Sequence, residues 1–139
     1  MKIATIIARV LLGLIFVVFG SNLLLHFIPM PAPAGQAGAF FGALYQTHYI
    51  YVVATVQVAG GLLLFTRYVP LGLTLLGPVI VNILTFHVCM APSGLPLASI
   101  VAILALFLLW RYRENFAGLV RHTAPRPVSQ APVAAKSQT

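Results

Sequence analysis

Charged residues, above all acidic ones, are scarce in this sequence. Of its 139 residues, eight are Lys or Arg and one, Glu114, is acidic, so that only 6% are charged. In ordinary soluble domains about a quarter of the residues are charged. So few charges cannot cover a water-exposed surface, which excludes a soluble enzyme, a nucleic-acid-binding domain and a disordered chain.

Cysteine is nearly absent as well. The one cysteine, Cys89, excludes a disulfide framework within the chain and any CxxC dithiol chemistry. Two interpretations of Cys89 are open, a disulfide between two chains and an inert, small apolar residue. We favour the inert residue, because no second Cys and no charged neighbour is present to activate the thiol. With one carboxylate and one thiol in the chain, the sequence also predicts no metal site.

Long apolar runs make up most of the chain. Hydrophobic residues account for 60% of the sequence, and a membrane-spanning helix needs about 20 mainly apolar residues. Apolar runs separated by Pro, Gly or Arg predict four transmembrane helices, at residues 10–28, 50–65, 69–90 and 95–110. The predicted fold is therefore an all-α integral membrane bundle of four helices.

Two further segments differ from these runs in composition. Residues 36–51 combine aromatic side chains, among them Phe40, Phe41 and Tyr45, with uncharged polar ones. Such a segment favours the membrane–water interface, so we expect a short interfacial or re-entrant helix at residues 37–45. Toward the C-terminus the chain becomes rich in Ala, Pro, Ser and Gln. This predicts a four-span domain at residues 1–116 and a disordered cytoplasmic tail at 117–139.

The basic residues predict how the bundle is oriented. Lys and Arg lie before the first run, between the second and third, and after the fourth, whereas residues 29–49 and 91–94 contain none. Loops on the cytoplasmic side carry an excess of Lys and Arg. Both termini are therefore predicted to be cytoplasmic, and the lipid bilayer, rather than a nucleic acid, is the expected partner of the basic residues.

Polar side chains within the spans are few, and most of the large ones are predicted to lie in the outer half of the bilayer. At 1.5 Å per helical residue, they lie about 15 to 30 Å from the basic residues at the inner ends. Polar groups in a membrane mark cavities or sites more often than lipid-facing surface. The candidate cofactor-binding cluster is Asn22, His26, Gln57, Asn82 and His87.

The first and third spans also share a faint pattern, in which an amide is followed by a histidine and then by Met and Pro. Asn22 and His26 precede one such break, and Asn82 and His87 precede the other. Two parallel helical hairpins would produce this internal repeat. Glycines within the spans, namely Gly13, Gly20, Gly60 and Gly61, are predicted to be points of close helix packing.

Taken in order, these motifs resemble the DoxX family of small four-helix membrane proteins over about residues 5–116. The matching stretches are residues 8–16 (ARVLLGLIF), 19–22 (FGSN), 25–31 (LHFIPMP), 57–64 (QVAGGLLL), 78–87 (PVIVNILTFH) and 93–96 (SGLP). The resemblance implies a protein of the bacterial inner membrane with a link to quinone or thiol redox systems. Where such sequences often have Glu, this chain has Gln57, and an amide cannot carry a proton.

Several functions remain open at this point. The polar cluster predicts a site for a quinone head group, with Phe40, Phe41 and Tyr45 closing its outer side. His26 and His87 are a less favoured pair of haem ligands. In that interpretation the chain is a subunit of a redox system with other membrane proteins as partners, and not an enzyme by itself. One alternative is a scaffolding subunit, oligomeric or not, whose amides only join helices. A second is a small transporter or lipid-handling bundle, which the lack of an intramembrane carboxylate disfavours.

Overall fold

The computed structural model describes residues 2–120, with side chains up to residue 117, and every regular element in this part of the chain is helical. In chain order the helices are α1 (Lys2–Leu25), α2 (Gly35–Gln46), α3 (Tyr49–Leu64), α4 (Val69–Cys89), α5 (Leu95–Arg111) and α6 (Arg113–Val120). A single 3-10 turn, Pro92–Gly94, precedes α5.

Three helical segments are long and apolar enough to cross a membrane: α1, α4, and α5 together with its preceding turn. The pair α2 and α3 gives a fourth candidate, although these two helices meet at a bend of 91°. With 16 residues, α3 extends about 24 Å, somewhat less than the roughly 30 Å of a bilayer's hydrocarbon core. The prediction of an all-helical chain is confirmed, and the apolar helices supply three or four possible spans.

The four longer helices form a closed ring in which α1 contacts α3, α3 contacts α4, α4 contacts α5, and α5 contacts α1. Its core is made of aliphatic side chains together with Phe16, and its central residues are Leu12, Phe16, Leu64, Leu76 and Leu108. Large apolar side chains also cover much of the outer surface, including Leu14, Leu62, Val81 and Ile103. An apolar exterior of this kind matches a hydrocarbon environment.

Glycines allow α3 to approach both of its neighbours closely, as predicted. A Cβ atom at Gly61 would lie 3.0 Å from the carbonyl oxygen of Gly13 in α1, and one at Gly20 would lie 2.9 Å from the Cβ of Gln57. On the other side of α3, a Cβ at Gly60 would lie 2.7 Å from Leu76 of α4. The prediction that these glycines are packing points is confirmed.

Arg9 joins three elements at one end of the bundle. Its guanidinium donates hydrogen bonds to the carbonyl oxygens of Leu64 (3.0 Å) and Thr66 (2.8 Å), and it lies 3.5 Å from the Tyr112 hydroxyl. Leu64 is the last residue of α3, so Arg9 satisfies a carbonyl that has no partner within its own helix. The same contacts bring the first turns of α1, the α3–α4 loop and the α5–α6 junction together at this end.

Some boundaries differ from the predicted ones. The first apolar run was expected at residues 10–28, but α1 begins at Lys2 and ends at Leu25, because His26 adopts a left-handed conformation with φ of 52°. A helix, α2, is present where the short helix at residues 37–45 was predicted. The last helix, α6, continues to Val120, past the predicted domain boundary at residue 116. Residues 121–139 of the predicted tail lie outside the described residues.

Candidate functional site

Asn22 is bonded to the loop that follows α1. Its side chain is 2% exposed, its Oδ1 accepts a hydrogen bond of 2.6 Å from the Ile28 amide, and its Nδ2 donates one of 3.3 Å to the Ile28 carbonyl. The two bonds form a closed pair between one side chain and one backbone residue. This amide therefore holds the chain in place where α1 ends.

His26 begins the same loop, and its ring is exposed. The ring lies against Tyr45 of α2, with 5.6 Å between the ring centroids. Tyr45 in turn donates a hydrogen bond of 3.2 Å from its hydroxyl to the Leu23 carbonyl near the end of α1. Partial burial at this end of the bundle, with a smaller effect from Tyr51, raises the pKa of Tyr45, so its hydroxyl keeps the proton that it donates.

His87 lies near the end of α4 and is held by the turn that leads into α5. Its Nδ1 is 2.9 Å from the carbonyl oxygen of Ala91, so the ring donates this proton in the Nδ1–H tautomer. A Cβ atom at Gly94 would overlap the His87 ring, which explains why a glycine occupies that turn. Like Asn22, His87 connects a long helix to its own loop.

An aromatic cluster lies beside His87 and joins α2 to α4. Phe86 packs against Phe40 and Phe41 with centroid distances of 5.6 Å and 5.2 Å, and it also contacts the His87 ring at 5.2 Å. Edge-to-face and tilted contacts of this kind are favourable arrangements for aromatic rings. These contacts place α2 beside the ends of α1 and α4, where the sequence predicted an aromatic cover.

Gln57 differs from the other candidates because it is buried but bonds nothing. It is 7% exposed and lies against Gly20 of α1, and no hydrogen bond joins its side chain to any residue of the described chain. Every fully enclosed side-chain nitrogen or oxygen among these residues has a partner. The polar atoms of the Gln57 amide are therefore not fully enclosed, and a polar group or a water molecule can reach them.

Asn82 lies on the outside of the bundle. Its side chain is exposed, and within residues 2–120 it has no hydrogen-bond partner. The inner face of α4 at this level is formed by Ile80, which is buried. Asn82 thus faces away from the other four candidates.

The five candidate residues do not form one cluster. No hydrogen bond or ring contact joins any two of them in the described part of the chain. Asn22 and His87 bond loops at the same end of the bundle, Gln57 lies inside it, and Asn82 lies outside. The two halves of the proposed internal repeat place their amides differently, since Asn22 is buried whereas the equivalent Asn82 is exposed. Within residues 2–120, no group of three His, Cys, Asp or Glu side chains is arranged to hold a metal ion.

Two open surface pockets lie elsewhere. One, of about 350 Å³, is an apolar groove between α1 and α3 at the level of Ser21 and Thr55. The other, of about 310 Å³, lies at the basic end and is lined by Trp110, Arg111, Arg113 and Glu114. The groove's surface is mainly apolar, which suits an alkyl chain better than a polar head group.

Sequence reasoning missed two structural roles. Arg9 was interpreted only as a marker of orientation, yet it bonds α3 across the bundle. Tyr45 was assigned to closing a cofactor site, and the structure uses its hydroxyl to hold α2 to α1. No local pattern indicates either bond, because both partners are backbone carbonyls that are distant in the sequence.

The chain is similar to a Bacillus subtilis (strain 168) protein named Uncharacterized protein YwoB, with 34% identity over 86 residues. The match covers 61% of this chain and 54% of the relative, so the chain spans about half of that protein's length. No family model matches the chain, and no solved structure gives a significant match. The relative's name states no activity.

Proposed function

We propose that this chain is an integral protein of a bacterial cytoplasmic membrane, with α1, α3, α4 and α5 as four spans and α2 at the outer interface. The apolar exterior of the ring supports this arrangement, as do the lengths of α1, α4 and α5. The shorter α3 is accommodated by slight thinning of the bilayer or by its flanking Tyr and Arg residues. Both termini are cytoplasmic, because Arg9, Arg67, Arg111 and Arg113 lie at the same end of the ring.

Within that membrane, the chain acts as a structural subunit that functions together with other membrane chains, not as an enzyme by itself. One observation carries this proposal: the polar side chains at the outer end bond the bundle's own loops and helix ends. Asn22 accepts a hydrogen bond from the Ile28 amide, and His87 and Tyr45 donate hydrogen bonds to the carbonyl oxygens of Ala91 and Leu23. Side chains that are already paired in this way stabilise the bundle and have little capacity left for a ligand.

The test combines thermal unfolding with extraction of bound small molecules. Asn22→Ala and His87→Ala variants are purified in mild detergent beside the wild type, and an unrelated four-helix membrane protein from the same cells sets the background. We expect both variants to unfold at lower temperature, while the organic extracts of all samples match the background by mass spectrometry. A quinone or haem that is enriched in the wild type and lost in the variants at unchanged stability contradicts the structural role.

A second candidate function is the binding of a quinone-type head group in a redox system, and Gln57 is the observation that favours it. Its amide is buried, unbonded and in contact with accessible space. An amide donor in an apolar surrounding is suited to a quinone carbonyl oxygen. In this case the extract of the wild type contains quinone above background. Gln57→Leu removes that quinone without lowering the unfolding temperature, whereas Gln57→Glu tests whether a carboxyl restores binding.

A further inference from the structure

One face of α4 is not covered by any other helix of the bundle. Its residues follow the alternating spacing of four and three that is typical of a helix–helix seam. All of them are exposed: Leu71, Leu75, Pro78, Asn82, Thr85 and Cys89. We call this set the α4 seam. It runs from the first turns of the helix to its last residue.

Asn82 is the one residue of the α4 seam whose polar group remains unbonded within the described chain. The Thr85 hydroxyl donates to the Val81 carbonyl of its own helix at 2.9 Å, and so it is satisfied. The Asn82 amide has two donor hydrogens and an acceptor oxygen without partners. If it faced lipid, these groups would be unsatisfied in hydrocarbon, which is strongly unfavourable.

We propose that the α4 seam is the contact surface for a second copy of this chain, with the two Asn82 side chains hydrogen-bonded to each other. The proposal rests on the membrane insertion proposed above. It adds to the proposed role as a structural subunit by naming the partner, a second copy, and the residue that selects this partner, Asn82.

An identical partner inserted in the same direction presents an amide at the same depth as Asn82. Two copies inserted in the same direction are related by a twofold axis along the membrane normal, so each seam residue meets its own counterpart at the same depth. An amide is self-complementary in such a pair, because each copy donates to the oxygen of the other. A polar residue at one position of an apolar seam also fixes the register of the two helices.

The same symmetry places the two Cys89 residues close together. Cys89 lies one heptad, or two helical turns, after Asn82 on the same seam, about 10 Å along the helix. It is exposed. Because the chain has one cysteine, a disulfide formed by oxidation of the purified protein joins Cys89 of one copy to Cys89 of another. The thiol therefore reports on the interface without any engineering.

The experiment uses the full chain, purified and reconstituted into phosphatidylethanolamine and phosphatidylglycerol vesicles over a series of protein-to-lipid ratios. Air oxidation catalysed by copper phenanthroline is followed by non-reducing electrophoresis. We expect a band at twice the monomer mass of 14.9 kDa. Energy transfer between dyes attached to the N-terminus measures association in the same vesicles without relying on the thiol.

Asn82→Leu tests the residue that carries the proposal, and Asn82→Gln is its conservative counterpart. Asn82→Leu should raise the protein-to-lipid ratio for half-maximal energy transfer by about threefold to tenfold, as expected for the loss of an interhelical polar contact in a membrane. Asn82→Gln should retain most of the association. The matched control for geometry is the double variant Cys89→Ser, Leu97→Cys, whose new thiol is exposed near the outer end of α5 and should form dimers only by random collision.

Any of three outcomes would contradict the proposed interface. The first is energy transfer no greater than that of random collision, and the second is an unchanged protein-to-lipid ratio for half-maximal energy transfer in Asn82→Leu. The third is equal cross-linking through Leu97→Cys and through Cys89. Cross-linking of Cys89 in cell membranes to a different protein, with no homodimer, would assign the seam to another partner and also reject the proposal. Vesicle flotation keeps the two proposals apart: protein that floats but does not associate contradicts only the interface, and protein that does not float contradicts the membrane assignment as well.

Discussion

Asn22 and Asn82 have the same side chain, but Asn22 is buried and Asn82 is exposed. Substituting each should therefore change the stability of the monomer by different amounts. Asn22→Ala removes both bonds to Ile28 and leaves a backbone donor and acceptor without partners. We expect a loss of about 1–3 kcal/mol in the free energy of unfolding. Asn82→Ala is the control, since this substitution breaks no bond within the monomer. It should change the free energy of unfolding by less than about 0.5 kcal/mol. Thermal unfolding in detergent that keeps the protein monomeric measures both, and equal losses would contradict the assignment.

Arg9 provides a second test at the scale of single residues. Arg9→Met keeps much of the apolar stem but removes the hydrogen bonds to the carbonyl oxygens of Leu64 and Thr66. Because the group is partly exposed, we expect a moderate loss of about 1–2 kcal/mol. Arg67→Met removes the same charge, but within the described residues the Arg67 guanidinium contacts only the neighbouring Tyr68. Its unfolding temperature should match that of the wild type. If the two variants unfold alike, Arg9 has no role in joining the helices.

At the scale of elements, the stability of the bundle depends on how closely α3 approaches α1. A Cβ atom at Gly61 would lie about as close to Gly13, Val17 and Phe16 as any real contact allows, at 3.0 to 3.1 Å. Gly61→Ala should therefore force the two helices apart and cost about 1–3 kcal/mol. Gly77→Ala in α4 is the control, since nothing lies within 4 Å of the added atom, and it should be neutral or stabilise the helix by up to about 1 kcal/mol. Thermal unfolding followed by circular dichroism compares the two, and similar losses would argue against close packing at Gly61.

At the scale of the whole molecule, the testable property is orientation in the membrane. A reporter fused after residue 139 should be cytoplasmic, and one inserted between Pro33 and Gly35, in the loop before α2, should be extracytoplasmic. Alkaline phosphatase is active only outside the cytoplasm and green fluorescent protein mainly inside it, so each fusion has a positive readout in one reporter. Opposite results at both positions would contradict the predicted orientation and show that the bundle is inserted in the reverse direction. An extracytoplasmic C-terminus with an extracytoplasmic loop would mean three spans, with α2 and α3 forming a re-entrant pair.

The positions of the helices could be predicted closely from the sequence. The predicted runs at residues 50–65, 69–90 and 95–110 agree with α3, α4 and α5 to within a residue, because length of apolar sequence and Pro, Gly or Arg breaks are local properties. The start of α1 could not be predicted in this way. Arg9 was interpreted as lying before the helix, whereas it belongs to α1 and bonds the end of α3, a contact that depends on a partner 55 residues away in the chain.

The candidate site was predicted less well than the fold. The sequence identified the polar residues of the long helices, and two of them, Asn22 and His87, do lie at the same end of the bundle. It did not reveal that these two bond their own loops, since such bonds depend on the left-handed turn at His26 and on the contact of Gly94 with the His87 ring. Nor did the similar spacing in α1 and α4 reveal that Asn22 is buried and Asn82 exposed.

By itself, the sequence determined that the chain is helical and apolar, where its helices lie, and that the basic residues of its described part lie at the ends of those helices. These properties follow from residue types and their order along one helix. Only the tertiary structure decided which face of each helix is covered, and therefore what each amide can bond. That outcome depends on which neighbours surround a helix: α3 is packed through glycines on both sides, whereas α4 retains an uncovered face that carries Asn82.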